Sequence, residues 1–587
     1  MSTAALTLGD VYGGTKRQRY ETYKAALIQE RSSFEAHWRE IGDYFNPRRT
    51  RFWTSDKNKG DKRNQKIINS AGRFAHRTLQ SGLHAGLTSP ARPWFKLGTP
   101  DPTLAEYGPV KEWLHLVTQR MQTVFSASNL YNALPVCYGD FGLFGTAAMS
   151  ILDDTQDLFR AYTYPIGTYA LGCDHRGRVS VFVRDYQLTV RQIVEQFGGP
   201  GGTVAQRNKA IDWSGISLTV RNLWSRGSYE APVDITWMVQ PNEDRNDRYM
   251  QAKYMPFKSC YWELGENREN TFLRESGFRT FPVLAPRWDI TGEDTYGVAC
   301  PGMDALPDQK QLQGMEKKKA KALEKMIDPP LQGPTELRTQ KVSLLAGDVT
   351  YVNVRDGNQG LRSVHEINID MNHLSIEMDR VEYRIKRAFY EDLFLMLAQS
   401  DPSRGMQPVT AREIEERHEE KLLALGPVLE RTNDELLEPL IDRVYLMMDE
   451  NGLIPPAPDQ LQDVDLKVEF ISIMAQAQKY VGVASMDRFV ASTVPYFEAL
   501  PEMKDSIDAR VIVEEYQDML GANPKVVRTK EEAKEIADNR DQAAAGMMQA
   551  QQAEQMAKAG KNLSDSKLQD GSSALDAVMG QGAGAVQ

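Results

Sequence analysis

Residues 303–328 read MDALPDQKQLQGMEKKKAKALEKMID, a polar stretch that is rich in lysine and in strong helix formers. Pro329 and Pro330 follow directly and end the predicted helix, because proline cannot continue one. A second helical pattern covers residues 370–398, and residues 329–369 between the two have no helical pattern. The layout suits two long helices that carry a small module, although composition alone equally allows an ordinary helical hairpin.

N-terminal to this pair, the sequence predicts four helices, over residues 15–45, 70–87, 109–125 and 130–149. In the first, apolar residues recur mostly every three, four or seven positions until Pro47. The last carries Gly139, Gly142 and Gly145, where either close backbone packing or a helix break is expected.

A basic segment follows Pro47 and is predicted to be a loop or an extended arm. Its polar composition offers few apolar anchors, so it either contacts phosphate or lies solvated at the surface. Its basic residues are Arg48, Arg49, Arg51, Lys57, Lys59, Lys62, Arg63 and Lys66.

Between residues 158 and 288 the pattern changes to short alternating runs, which predict antiparallel strands joined by tight turns. One helical insertion is expected over residues 190–197. The glycine cluster at 198–202 lacks the spacing of a phosphate-binding loop and is predicted to be a flexible loop.

After a loop over residues 399–409, Thr410 and Glu413 form a capping-box pattern that begins a third long helix toward residue 450. Pro427 and Pro439 are expected to bend or interrupt it. Further helices are expected at 474–499, at 505–520 and from a second capping box at residue 529. Residues 546–587 contain no aromatic side chain and are expected to be mobile unless assembly orders them.

The charge balance argues against a general nucleic-acid binder, since the 587 residues carry a formal net charge of −10. The charge is nevertheless uneven. Residues 1–100 contain 18 Lys and Arg against 8 Asp and Glu, which leaves the remainder at −20. Any contact with nucleic acid must therefore be local or weak, and an uneven solvated surface is the other interpretation of this imbalance.

The sequence lacks catalytic motifs whose residue spacing is set by their chemistry. It has no nucleophile elbow, no HExxH pair and no Walker A lysine. The four cysteines form no CxxC pair, and neither a signal peptide nor a membrane-spanning segment is evident. The chain is therefore predicted not to be an enzyme and to need no cofactor or metal.

Eight collinear segments together resemble the head-to-tail connector (portal) family of short-tailed bacteriophages. They are residues 34–41 (FEAHWREI), 44–49 (YFNPRR), 79–97 (LQSGLHAGLTSPARPWFKL), 281–288 (FPVLAPRW), 296–306 (YGVACPGMDAL), 325–330 (KMIDPP), 389–397 (FYEDLFLML) and 410–430 (TAREIEERHEEKLLALGPVLE).

The resemblance implies a mainly helical α+β portal fold. Its parts would be a wing with an antiparallel β-rich portion (1–302), stem helix 1 (303–328), a clip (329–369), stem helix 2 (370–398), a tunnel loop (399–409), a bent wing helix (410–450), a crown (451–545) and a flexible or assembly-ordered tail (546–587).

The resemblance also implies a ring, usually of twelve subunits, at one capsid vertex of the virion, assembled in the host bacterial cytoplasm. Double-stranded DNA would pass through its channel during packaging and ejection. The clip would dock the terminase large subunit and later the tail adaptor, and the wing would contact coat and scaffold proteins. A minor head protein or adaptor that lines no channel is the alternative.

Candidate site residues follow from these assignments. In the tunnel loop, the residues expected to contact DNA are Ser403, Arg404 and Gln407. In the stem they are Lys317, Lys318, Lys319 and Lys321, for which a solvated helix face is the other interpretation. Docking residues of the clip are Pro329, Pro330, Arg338 and Lys341.

Overall fold

The computed structural model describes most of the chain between residues 15 and 565. The described residues are 15–57, 60–105, 107–199, 211–246, 248–249, 251–265, 271–333, 362–363, 370–399, 425–461, 466–471, 512 and 530–565. The chain divides into two compact units. The first comprises Met1–Pro100, Trp113–Ala457 and Gln462–Gly482, and the second comprises Asp101–Glu112, Pro458–Leu461 and Val483–Gln587.

The helices are numbered in chain order. They are α1 (Lys16–Tyr44), α2 (Ala71–Leu87), α3 (Pro102–Ala105), α4 (Gly108–Ala127), α5 (Leu130–Phe144), α6 (Val190–Phe197), α7 (Leu218–Ser225), α8 (Pro301–Ile327), α9 (Met371–Ala388), α10 (Glu391–Gln399), α11 (Glu438–Glu450) and α12 (Lys530–Asp565).

The strands are short and pair antiparallel. They are β1 (Phe95–Gly98), β2 (Ala148–Asp154), β3 (Leu158–Tyr164), β4 (Tyr169–Cys173), β5 (Val179–Thr189), β6 (Pro232–Pro241), β7 (Phe257–Glu263), β8 (Arg274–Phe278), β9 (Val283–Leu284), β10 (Leu331–Gln332), β11 (Arg362–Ser363) and β12 (Lys467–Phe470). The mixture of helices and antiparallel sheets confirms the α+β class.

The predicted β-rich region forms a five-stranded sheet, β4-β5-β6-β7-β8, and a three-stranded sheet, β3-β2-β9. Helix α1 packs on the larger sheet, where Tyr20 and Leu27 share a buried cluster with Met238 and Trp262. Alternation of apolar and polar residues along the strands provides this buried face. The antiparallel prediction and the helix at 190–197 are thus confirmed.

Helix α1 begins with a capping box. The Thr15 hydroxyl accepts a hydrogen bond from Gln18 N, and Gln18 Oε1 accepts one from Thr15 N. The helix ends at Tyr44, before Pro47. Trp38 and Ile41 are fully buried on its inner face. The heptad-like spacing of apolar residues therefore predicted this element correctly.

The three glycines in and directly after α5 show both of the expected features, close backbone packing and a helix end. Gly139 and Gly142 pack against α2, and a Cβ on Gly142 would lie 2.5 Å from Leu79 Cδ2. Gly145 adopts φ +71 and ends the helix. The predicted helix to residue 149 is wrong at its end, because Met149 already pairs in strand β2.

Helices α8 and α9 form an antiparallel pair. Helix α8 begins with Pro301 at its first position, where the missing N–H costs nothing, and spans about 40 Å. Early residues of α8 meet late residues of α9, since Arg384 bonds to Asp308. Strands β10 and β11 pair antiparallel beyond the α8 end. Most of the predicted small module, residues 334–361 and 364–369, lies outside the described residues.

The single helix predicted over 370–398 is wrong. Helix α9 ends at Ala388, and α10 begins at Glu391 after Tyr390, whose φ of 54 is left-handed. Phe389 is buried against Phe45, at 5.4 Å between ring centroids, while Tyr390 stacks near Trp288. Packing of two successive aromatic rings against different neighbours explains the break.

The described part of the third long helix is continuous from residue 425 to Glu450, and the start of the turn before Pro427, which that proline would affect, lies outside the described residues. Just before Pro439 the helix takes a π-helical turn, Asn433–Leu437, in which Glu438 N donates to Asn433 O. Pro439 has no N–H to offer the carbonyl four residues back, and the wider turn accommodates that loss.

In the second unit, α12 runs over 36 residues from Lys530 to Asp565. The tail predicted to begin at residue 546 is therefore helical as far as Asp565. Met547, Met548 and Met556 lie exposed on it. The predicted helices at 474–499 and 505–520 and the capping boxes at Thr410 and Thr529 lie outside the described residues.

Candidate functional site

The antiparallel pair α8–α9 is firmly rooted at one end. Gln309 and Leu312 of α8 are fully buried. Gln313 Oε1 accepts from both Ile68 N at 2.6 Å and Asn69 N at 2.8 Å, and Gln313 Nε2 donates to Asn69 O at 2.8 Å. A side-chain amide thus fixes the helix to the segment before α2.

Asn69 links the two helices as well as anchoring one of them. Its Nδ2 donates to Glu316 of α8 at 3.1 Å and to Glu382 of α9 at 2.8 Å. Sequence reasoning missed both Asn69 and Gln313, because a buried amide in a polar helix looks like any other surface residue until its partners are known.

Beyond Gln313, helix α8 emerges into solvent. Lys317, Lys318 and Lys321 are exposed, and Lys319 is half-buried. Within the described chain no ion pair involves these four lysines. They are therefore available to an anionic partner, and they spread around the helix, since successive residues step by about 100°.

The same free portion carries exposed apolar side chains. Leu323 and Met326 are exposed, Ile327 is 82% exposed, and Ile376 is exposed on α9. Tyr383 of α9 is exposed as well, but it lies nearer the rooted end, next to Arg384. Large apolar groups on an otherwise polar helical pair indicate a surface that is covered on association.

The predicted docking residues are only partly described. Pro329 and Pro330 lie between α8 and β10, half-buried and exposed respectively. Arg338 and Lys341 lie outside the described residues, and so do Ser403, Arg404 and Gln407. Their roles remain predictions.

Part of the basic arm, residues 48–66, is neutralised within the chain. Arg49 Nε bonds to Asp140 Oδ1 at 2.9 Å, Arg63 pairs with Asp56, and Lys66 pairs with Asp43 at 2.7 Å. Burial raises the pKa of Asp140, and Arg49 opposes that rise. These cations hold the fold together and are not free for phosphate.

A second buried ion pair joins the strand region to the third long helix. Arg287 Nε lies 3.1 Å from Glu435 Oε1, and Arg287 N donates to Glu435 Oε2 at 2.8 Å. The other guanidinium nitrogens donate to Gly177 O and Asp294 O. One side chain thus connects four segments of the first unit.

The described residues contain no group of three or more His, Cys, Asp or Glu side chains able to hold a metal ion. In that same part of the chain, no helix is both long and apolar enough to cross a membrane.

The rooted helical pair and the β-rich body both lie in residues that match a known protein family. The chain belongs to the family of bacteriophage head-to-tail connecting proteins, since the model of the family described as "Bacteriophage head to tail connecting protein" matches residues 17–527.

Two curated relatives agree with this family. The "Portal protein" of Salmonella phage epsilon15 is 43% identical over 567 residues, which cover 96% of this chain and 98% of that protein. The "Probable portal protein" of Bordetella phage BPP-1 is 41% identical over 514 residues, covering 87% of this chain and 89% of that protein. The resemblance to the portal family is thereby confirmed.

Proposed function

We propose that this chain is the portal subunit of a short-tailed bacteriophage. About twelve copies would form a homo-oligomeric ring at one capsid vertex of the virion. Double-stranded DNA would be packaged and ejected through the channel of this ring. The observation that carries the proposal is the extent of the match. The family alignment runs from residue 17 to residue 527, and the relatives named as portal proteins are covered almost end to end.

The rooted pair α8–α9 supports the stem assignment. Its inner end is fixed by Gln313 and Asn69, and its outer end exposes apolar side chains that a neighbouring copy would cover. A ring of such pairs would surround a channel with a polar lining, to which Lys317, Lys318, Lys319 and Lys321 would supply weak phosphate contacts.

The acidic overall charge supports passage of DNA in preference to tight binding. Each phosphate that a protein neutralises adds salt-dependent affinity. A net charge of −10 per chain limits that affinity, so the DNA can slide. The tunnel loop, with Ser403, Arg404 and Gln407, would supply the remaining contacts.

Partners follow from the two ends of the subunit. The clip, with Pro329, Pro330, Arg338 and Lys341, would dock the terminase large subunit and then the tail adaptor. The wing would contact coat and scaffold proteins. Assembly would take place in the host bacterial cytoplasm, and no catalytic step is assigned to this chain.

Negative-stain electron microscopy with native mass analysis of the purified chain tests the proposal. Closed rings of about a dozen copies around an open channel are expected. A monomer or small compact oligomer that persists across concentrations, and with scaffold protein added, would instead indicate an adaptor or minor head protein.

A further inference from the structure

Residues 53–57 and 60–63, here called the Trp53 loop, lie at the surface and are held by backbone and side-chain bonds. Asp56 N donates to Trp53 O at 3.0 Å, Arg63 pairs with Asp56, and Arg48 Nη2 donates to Asp61 O at 3.3 Å. A loop closed in this way presents its outward side chains in a fixed arrangement, which lowers the ordering cost of binding.

The outward side chains of this loop are unusual for a free surface. Trp53 is 69% exposed, and tryptophan belongs to the residues most enriched in the centres of protein interfaces. Lys57 and Lys62 are exposed, and neither has an ion pair with the described part of the chain. These residues therefore offer one large aromatic anchor and two positive charges that have no ion pair with the described part of the chain.

The surroundings of the loop are positive too. Burial, together with the nearby guanidinium groups of Arg49, Arg63 and Arg184, lowers the pKa of Arg51. The Nε of Arg51 is buried and has no hydrogen-bond partner among the described residues. Acidic groups of the same chain therefore compensate only part of the positive charge around Arg51.

An acidic counterpart lies on the third long helix. Asp434, Glu438 and Asp442 follow one another at four-residue steps, so they form a ridge on successive turns, and all three are exposed. None of these carboxylates pairs with a cation in the described residues. Like charges at this spacing destabilise a helix, which favours a cationic partner outside the subunit.

We propose that the Trp53 loop of one subunit docks on the acidic ridge of a second copy of this chain, with Lys57 and Lys62 facing Asp434, Glu438 and Asp442. This inference rests on the proposed ring and names the contact that closes it.

A second copy fits better than another ligand for two reasons. A ring requires two different, complementary surfaces on each subunit, because its contacts run head to tail. The chain supplies them, since residues 1–100 carry an excess of ten positive charges and the remainder an excess of twenty negative ones. Trp53 argues in the same direction, because protein interfaces bury such anchors.

Charge reversal of the full-length chain tests the contact. One variant reverses the loop (Lys57→Glu, Lys62→Glu) and another reverses the ridge (Asp434→Lys, Glu438→Lys, Asp442→Lys). Each alone juxtaposes like charges and is expected to give about tenfold fewer rings than the wild-type chain. Mixed in equal amounts, the two variants are complementary at every contact and should form rings of alternating subunits.

Matched controls separate charge from folding. Arg226 and Lys253 are exposed elsewhere in the first unit, and Arg226→Glu with Lys253→Glu should leave ring yield unchanged. Trp53→Ala should reduce ring yield, whereas Tyr249→Ala, at another exposed aromatic residue, should not. Circular dichroism and the thermal unfolding midpoint confirm that each variant is folded.

The outcomes are distinguishable. Reversed chains that assemble as well as the controls, or folded variants whose mixture gives no rings, overturn the contact and leave the ring standing. Loss of DNA or scaffold binding by the loop-reversed chain, with ring yield unchanged, overturns it likewise and assigns the loop to another ligand. A wild-type chain that never forms rings overturns both proposals.

Discussion

Arg287 and Glu435 lie 148 residues apart in the sequence and form a two-point contact in which Glu435 accepts from both the backbone N–H and the guanidinium of Arg287. Only 3% of the Arg287 side chain is exposed. Because Arg287 also donates to Gly177 O and Asp294 O, the ion pair ties the π-helical turn to the β-rich body.

Removal of one partner should be costly. Glu435→Gln leaves a buried guanidinium without its counter-charge, and we expect a loss of about 3–5 kcal/mol in the free energy of unfolding. Denaturant titration measures it. Replacement of both residues by leucine should destabilise the chain clearly less than the summed effects of Arg287→Leu and Glu435→Leu. Additive effects would show that the pair is not coupled.

Two glycines of α8 should respond oppositely to alanine. A Cβ at Gly302 would lie 2.2 Å from Leu143 O, a backbone atom that cannot move aside, whereas at Gly314 nothing lies within 4 Å. Gly314→Ala should stabilise by about 0.5–1 kcal/mol through helix propensity, and Gly302→Ala should destabilise. Thermal unfolding of both variants checks this, and equal midpoints would contradict the close packing of α8 on α5.

Stability should depend on the protonation of Asp442. Although Asp442 is exposed, packed neighbours partly desolvate its carboxyl group, and this desolvation together with the charge of Glu438 raises its pKa to about 6, so folding disfavours the ionised form. Above pH 6 the wild-type chain bears that penalty, which disappears as the pH falls toward the ordinary carboxyl pKa of about 4. Asp442→Asn should therefore stabilise at pH 8, by roughly 0.2–0.5 kcal/mol from the removed repulsion alone.

The pH dependence itself provides the check on Asp442. The advantage of Asp442→Asn over the wild-type chain should shrink through pH 6 and vanish near pH 4. Asp449→Asn, at an exposed position of the same helix, is the comparison. A constant difference from pH 4 to pH 8 would rule out the titration of Asp442 as its cause.

The stem lysines should affect DNA without regard to its sequence. Replacement of Lys317, Lys318, Lys319 and Lys321 by glutamine should weaken DNA retention by assembled rings and flatten its dependence on salt concentration, because fewer counterions are released. Arg226→Gln with Lys253→Gln serves as the control. An unchanged salt slope would place these lysines outside the DNA path.

The tunnel-loop assignment leads to a prediction about assembly. Deletion of residues 399–409 should leave rings intact while it impairs DNA retention, because the segment connects helices and is not expected to contribute to the core. Electron microscopy counts the rings, and nuclease protection measures the retained DNA. Disassembly of the rings after the deletion would show that the segment is misassigned.

Sequence periodicity predicted the elements that are determined by burial of one face. The periodicity of Tyr20 to Trp38 predicted α1, and alternation predicted the antiparallel strands, because burial of one face determines both. The break at Tyr390 could not be predicted in this way. It depends on Phe389 and Tyr390 packing against Phe45 and Trp288, which are distant in the sequence.

The candidate site shows the same division. The lysines of α8 were identified from the sequence, and the exposure of three of the four is compatible with either interpretation, phosphate contact or a solvated face. The residues that anchor helices α8 and α9, Asn69 and Gln313, carry no sequence signal, because their role arises only from hydrogen bonds across 244 residues. Likewise, no pattern links Arg287 with Glu435.

The pairing of Leu331 with Ser363 and of Gln332 with Arg362 brings the two ends of the intervening chain side by side. A segment that leaves and re-enters a scaffold at adjacent points can change in length and sequence without moving the helices that carry it. An insertion or a replaced sequence between Gln332 and Arg362 should therefore leave helices α8 and α9 in place. For the experimenter, this segment is the natural place to graft a tag or a foreign binding loop.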